Sequence, residues 1–187
     1  MPRNKTYNEE DVVEKALNVF WQNGYESTSM QMLEKAMGIN KFSIYSSFES
    51  KHGLFLECLK HYKKQVKHNI DKLKTGNKGI EDIKQFFYDS VSSNFKTDQP
   101  KGCFVTNTYN EFSSKEDKCI NEQMTNFMDQ LKSIFRQKIE MDTNKSKKLV
   151  TKQTNYLLLA KHGLAAASRV NTKEEIEDYI DMIFKNL

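Results

Sequence analysis

The stretch GINKFSIYSSFESKHGLF, residues 38–55, contains two helix starts in close succession. Gly38 marks a chain reversal. Asn40 is a good cap for the segment NKFSIYSSF, because its side chain can accept a hydrogen bond from an otherwise unpaired amide of the first turn. Ser50 offers the same service to a second helix that begins at Lys51. The first of these helices is barely two turns long, and a helix that short gains little stability for itself. Ile39 and Ile44 are placed to pack it onto what precedes it, with Phe42 or Ile44 and Phe48 pointing inward. Its outer face then carries Lys41, Ser43, Tyr45 and Ser46, which are donors rather than core residues.

Upstream, TSMQMLEKAMG places Thr28 three residues before Gln31, the spacing of a capping box, and Met30, Leu33 and Ala36 share one face. Before that, NEEDVVEKALNVFWQNG repeats apolar residues at three- and four-residue steps from Val13 to Trp21, and its acidic start suits a helix amino terminus. Gly24 stands at the expected carboxyl cap. Two short helices joined at MGI and preceded by an amphipathic one form a helix-turn-helix pattern. Such a pattern needs a glycine where the chain bends and an exposed second helix that offers donors to a major groove. Asn40, Lys41, Ser43, Tyr45 and Ser46 are the candidate donors. Thr28 and Ser29 begin one neighbouring helix and Lys51 the other, where amides are positioned to hold phosphates.

The remainder is helical in period. A long segment over about 51–74 carries Leu54, Leu59, Tyr62, Val66, Ile70 and Leu73. TGNKG interrupts the pattern at 75–79, and further helices are expected over about 79–95, 102–112, 115–141, 145–170 and 173–186. Seven glycines and two prolines in 187 residues leave few breakers, and the expectation is an all-α protein of about nine helices with no strand. The opening MPRNKTYNEED has no apolar core of a signal, no segment reaches membrane-spanning length, and the three cysteines form no C-x-x-C pair, so a cytoplasmic chain with free thiols is expected. Residues 1–75 hold 12 Lys/Arg against 9 Asp/Glu. That excess is compatible with a nucleic-acid partner. No nucleophile elbow, P-loop, dinucleotide fingerprint or H-E-x-x-H motif occurs, so neither enzyme activity nor a cofactor is expected. Cys58, His61 and His68 fall at steps of three and seven on one helix, a spacing too loose for a metal site, and none is assigned.

ALNVFWQNGYESTSMQMLEKAMGINKFSIYSSFESKHGLF resembles the amino-terminal domain of the TetR/AcrR family of bacterial transcriptional regulators. The matching positions are Phe20, Gly24, Tyr25, Thr28, Gly38, Lys41, Tyr45, Phe48, Ser50 and Lys51. Two positions depart from the pattern. Glu34 stands where a small residue is usual, adding bulk at the junction of the two helices. Phe42 stands where glycine is common, and it either packs inward or meets a thymine methyl.

The resemblance implies a ligand-responsive regulator, most readily a repressor released from a palindromic operator by a small molecule. It also implies three regions: a DNA-binding domain at 1–50 with its motif at about 29–48, a connecting helix at 51–74, and an effector-binding and dimerisation domain at 75–187. KGCFVTNTYNEF is further similar to an RGCLLVNTALE-like stretch in the effector domain of one branch of the family. Phe86, Phe87, Phe104, Tyr109, Phe112 and Phe127 are candidate pocket walls, with Asn107 and His162 as polar orienting groups, and an apolar or aromatic effector is expected. A homodimer is expected through the last two helices, by way of Leu158, Gly163 and Ala166 in a small-residue segment and the stripe Ile176, Ile180 and Ile183. Two alternatives stand beside this reading. One is a helical protein-interaction adaptor that does not bind DNA; the other is a regulator sensing through Cys103 or Cys119.

Overall fold

The structure, a computed structural model, describes residues 7–92, 95, 100–185 and 187. Among these residues the chain forms nine α-helices and no strand: α1 (Glu9–Asn23), α2 (Met30–Met37), α3 (Lys41–Phe48), α4 (Lys51–Thr75), α5 (Ile80–Ser92), α6 (Phe104–Phe112), α7 (Lys118–Glu140), α8 (Lys147–Ala167) and α9 (Lys173–Phe184). The end of the helix expected over 79–95, most of the separator that follows it and the first six residues of the amino-terminal stretch lie outside the described residues. No described helix is long and apolar enough to cross a membrane.

The helix starts follow from short polar side chains. Asn8, Ser29, Asn40, Asp117, Ser146 and Thr172 each accept a hydrogen bond from an amide of the first turn. Thr172 and Glu175 complete the expected reciprocal capping box. The box expected between Thr28 and Gln31 does not form. Ser29 is the cap of α2 and accepts from Met32 N, while the Thr28 hydroxyl donates to Gly24 O at 2.6 Å and is buried. Gly24 has positive φ but an extended ψ of 172°, so it closes α1 without the left-handed helical turn expected there.

The chain divides inside α4 into two compact units, Met1–Gln65 and Val66–Leu187. In the first, α1 contributes Val13, Ala16, Leu17 and Phe20 to the interior, α2 contributes Leu33 and Met37, and α3 contributes Ile44 and Phe48. Ala36, expected on one face with Met30 and Leu33, is exposed; Met37 takes the buried position one residue on. Phe20 and Phe55 meet edge to face at 5.0 Å between ring centres, a favoured aromatic geometry.

The second unit has its own core, in which Ile83 and Phe87 of α5, Phe135 of α7, Leu157 and Leu164 of α8 and Ile180 of α9 are fully buried. The TGNKG break is held by a buried ion pair. Lys138 lies 3.2 Å from Asp82 Oδ2 and donates to Gly76 O, while Asp82 also accepts the Lys78 amide at 2.8 Å.

Candidate nucleic-acid interface

The candidate interface begins with the turn between α2 and α3. Gly38 adopts φ +70°, ψ +20°, the left-handed conformation that glycine enters without the steric cost of a side chain, and its amide donates to Glu34 O at 3.0 Å. Asn40 Oδ1 then accepts the Ser43 amide at 2.9 Å and starts α3. Ile44 and Phe48 are the two residues α3 buries, which fixes the rest of its surface to face outward. Asn40, Lys41, Phe42, Tyr45 and Ser46 are exposed, and Ser43 is half-buried.

Phe42 is 77% exposed, so of its two expected orientations the outward one is found. Lys41 Nζ lies 5.7 Å from the centre of the Tyr45 ring one turn along the same face, within cation–π range. On the side of α3 away from these residues, the Tyr7 hydroxyl shares a 2.7 Å hydrogen bond with Ser47 Oγ.

At the following helix, Ser50 Oγ accepts the Gly53 amide at 2.9 Å. A Cβ at Gly53 would sit 2.1 Å from Phe48 O, so a side chain there would push α4 away from the end of α3. Lys51 Nζ stands 4.5 Å over the Tyr25 ring, which itself stacks on Phe20 and meets Phe55 edge-on. The flanking cation of the interface therefore rests on an aromatic floor anchored in the core.

Of the residues expected at the interface, the structure brings Ser29, Asn40, Lys41, Phe42, Ser43, Tyr45, Ser46 and Lys51 onto α3 or the starts of its neighbours, all exposed except Ser43 and Lys51, which are partly buried. Thr28 departs from that expectation: at 1% exposure its side chain has no access to DNA. Tyr7 and the role of Glu34 carry no local signal. Their partners are 40 and 7 residues away in sequence. The Glu34 carboxylate accepts the backbone N–H of Lys41, so the expected crowding at the helix junction is instead a hydrogen bond across the turn.

The second unit corrects several expectations. Ile176, Ile180 and Ile183 are each 4% exposed or less within one chain and belong to its own core, so they offer no surface to a second copy. Leu158 is partly buried against the same core. Gly163 and Ala166 are exposed, and the exposed large apolar residues near them in sequence and on α9 are Tyr156, Leu159, Val170, Tyr179 and Met182.

Among the expected pocket residues, Phe87 is wholly buried and packs on Phe135 and Phe184, and Phe86, Phe104 and Phe112 are buried as well. These four are interior packing. Phe127 is partly buried against that core, and the Asn107 side chain donates to Lys101 O at 3.0 Å. Only Tyr109 and His162 are brought together with accessible surface, their ring centres 5.9 Å apart. His162 Nε2 lies 3.1 Å from Met128 Sδ. Burial, followed by the neighbouring charge of Lys161, holds the His162 imidazole below its ordinary value.

Cys58 is buried and its thiol donates to Val13 O at 3.6 Å, while His68 is exposed; the three loosely spaced residues of α4 do not converge. Burial, then the charge of Glu57, pushes the Cys58 thiol well above its usual range. Among the described residues no group of three His, Cys, Asp or Glu side chains is arranged to hold a metal ion.

The fold and the turn geometry define an all-α helix-turn-helix protein with a second, separate helical unit. Residues 12–58 match the family described as bacterial regulatory proteins, tetR family. It is 32% identical over 108 residues to the HTH-type transcriptional repressor ComR of Escherichia coli, covering 56% of this chain and 51% of ComR. It is 30% identical over 109 residues to the uncharacterized HTH-type transcriptional regulator YezE of Bacillus subtilis, covering 58% of this chain and 56% of YezE. The chain thus spans about half the length of the curated relatives it matches. Among solved structures, a cysteine-substituted form of the TetR family regulator CifR, complexed with 26-base-pair operator DNA, superposes with a TM-score of 0.85 at 21% identity, over 98% of each chain. At that identity the likeness shows the fold alone.

Proposed function

We propose that this protein is a dimeric, ligand-responsive transcriptional regulator, a repressor that leaves a palindromic operator when a small molecule binds its second unit. The observation that carries the reading is the outward face of α3. Lys41, Phe42, Tyr45 and Ser46 are exposed on a helix whose only buried residues are Ile44 and Phe48. Lys41 and Ser43 are assigned to base edges, and Tyr45, Lys51 and the amides at the start of α4 to phosphates.

A palindromic site presents two half-sites about one helical turn or a multiple apart, which calls for two copies of the chain. Exposed Tyr156, Leu159, Tyr179 and Met182, with the small residues Gly163 and Ala166, support pairing through α8 and α9. Coupling of effector to DNA runs through α4, the one helix shared by both units. A coupling of about 1–3 kcal/mol lowers operator affinity roughly 5- to 150-fold and lowers effector affinity equally when DNA is bound.

Selection from random duplexes, followed by gel retardation of the winner against its shuffled sequence, tests the DNA assignment. Failure to enrich any duplex at low salt would leave the helical adaptor as the better description. Sedimentation of the wild type and of Ala166→Arg tests the pairing, with a dimer expected for the first and a monomer for the second.

One arrangement favours a second reading, in which the signal is chemical modification of Cys103. The thiol is half-exposed at the amino end of α6 and makes no capping bond there. It interacts electrostatically with the buried ammonium of Lys161 on α8, a helix that packs against α6. A cation and a helix amino end both favour the thiolate, the nucleophilic form of cysteine. With iodoacetamide the sulfur–carbon bond forms as iodide leaves. Cys103 is expected to alkylate faster than in Lys161→Met, read by peptide mass spectrometry, and equal rates would remove the pair from the mechanism.

A further inference from the structure

The amino end of a helix carries unpaired amides and the positive end of the helix dipole, and both attract anions. In α3 two of the three amides ahead of the helical ladder are already taken. The Glu34 carboxylate reaches across the turn from α2 and accepts the Lys41 N–H, the first amide of α3. The Asn40 side chain takes the Ser43 N–H, and the Ile44 amide has begun the helical ladder on Asn40 O at 3.1 Å. Glu34 is half-buried and belongs to α2, whose Leu33 and Met37 are fixed in the core. The charged cap is therefore held by a rigid helix and not by a mobile loop. A hydrogen bond to an ionised acceptor is roughly twice as strong as a neutral one, and this one spans the turn that sets the angle between the two helices.

We propose that Glu34 is a specificity-determining residue of the interface, its carboxylate capping the amino end of α3 beside the base-reading Lys41. This rests on the DNA-binding assignment above. Two consequences follow from one side chain. The bond pins α3 against α2, so Lys41 and Ser43 meet base edges in one register. The negative charge repels the phosphate backbone, which carries non-specific binding whatever the sequence. Glu34 thus lowers affinity for all DNA while keeping the preference for the right sequence.

The test uses the full chain with the selected duplex and its shuffled counterpart. Glu34→Gln keeps an acceptor and removes the charge. It is expected to bind both duplexes about three- to tenfold more tightly at low salt, the gain shrinking as salt screens it. Glu34→Ala removes the pin as well. It is expected to gain on the shuffled duplex only, so that the ratio between the two falls by a similar factor. In the DNA-free protein, the Lys41 amide should exchange with solvent faster in Glu34→Ala than in the wild type. Unchanged affinities in Glu34→Gln, or an undiminished ratio in Glu34→Ala, overturn the proposal while DNA binding stands. A wild-type chain that prefers no duplex overturns the DNA assignment itself, and the proposal with it.

Discussion

The two units of this chain treat charge in opposite ways. In the first, the buried polar side chain is Thr28, and its hydroxyl is satisfied by Gly24 O. The lysines that matter, Lys41 and Lys51, sit outside on aromatic rings. In the second, two lysines among the described residues are buried. Lys138 is paired with Asp82 and a backbone carbonyl at the joint after α4. Lys161, at 7% exposure, has Phe86 below it at 5.9 Å and no hydrogen bond or carboxylate partner among the described residues. A unit with an apolar interior is a scaffold for chemistry on its surface. A unit that holds buried charge carries groups whose energy depends on the partners packed beside them.

The sharpest way to break that contrast is at Lys138. Replacing it with alanine leaves the Asp82 carboxylate, 13% exposed, without its cation, and the second unit is expected to lose about 3 kcal/mol in chemical denaturation. A loss well under 1 kcal/mol would show that the buried pair is a bystander.

The expectation for Lys161 runs the other way. Lys161→Met exchanges a buried charge that has no carboxylate partner among the described residues for an apolar chain of similar length and should raise stability by about 1–2 kcal/mol at pH 7. Burial pulls the Lys161 ammonium below its ordinary value, and the charge of Cys103 acts in the opposite direction. In the window between that lowered value and 10.5 the unfolded chain binds more protons than the folded one. Wild-type stability therefore rises as pH climbs through the window, and falls as pH drops through it. The methionine variant should show a flatter profile by equilibrium unfolding; matching slopes would mean that Lys161 titrates as it does in the unfolded chain.

On the first unit the effects are smaller and are read in DNA binding. If Phe42 covers a thymine methyl, replacing that thymine by uracil in the selected duplex should cost about 0.8 kcal/mol, roughly fourfold. The same exchange should cost nothing in Phe42→Ala. Equal sensitivity in both proteins would remove Phe42 from base reading.

Lys51→Ala should weaken selected and shuffled duplexes alike and reduce the slope of log K against log salt by about one unit. An unchanged slope would take Lys51 off the phosphates and leave its place over Tyr25 as a purely structural contact.

The comparison also shows where a linear reading holds. Asn40, Ser50 and Thr172 were identifiable as caps because a cap acts on amides within three residues of itself. Thr28 and Ser29 are adjacent and both suitable, and the choice between them fell to a buried hydroxyl bond that sequence does not display. The isoleucines of α9 formed a clear stripe. Helical period identifies a face, but not whether that face meets its own chain or another, and in α9 it meets its own.

Periodicity and contacts a few residues long were enough for the all-α character, the caps at Asn40, Ser50 and Thr172, the turn at Gly38 and the outward donors of α3. Only the tertiary structure decided that Phe42 faces outward, that Tyr25 lies under Lys51 and that Lys161 is buried beside Cys103. It also decided that the Glu34 carboxylate closes the amino end of α3. Those facts depend on how helices approach one another, and that approach is set by the joint packing of side chains far apart in the chain.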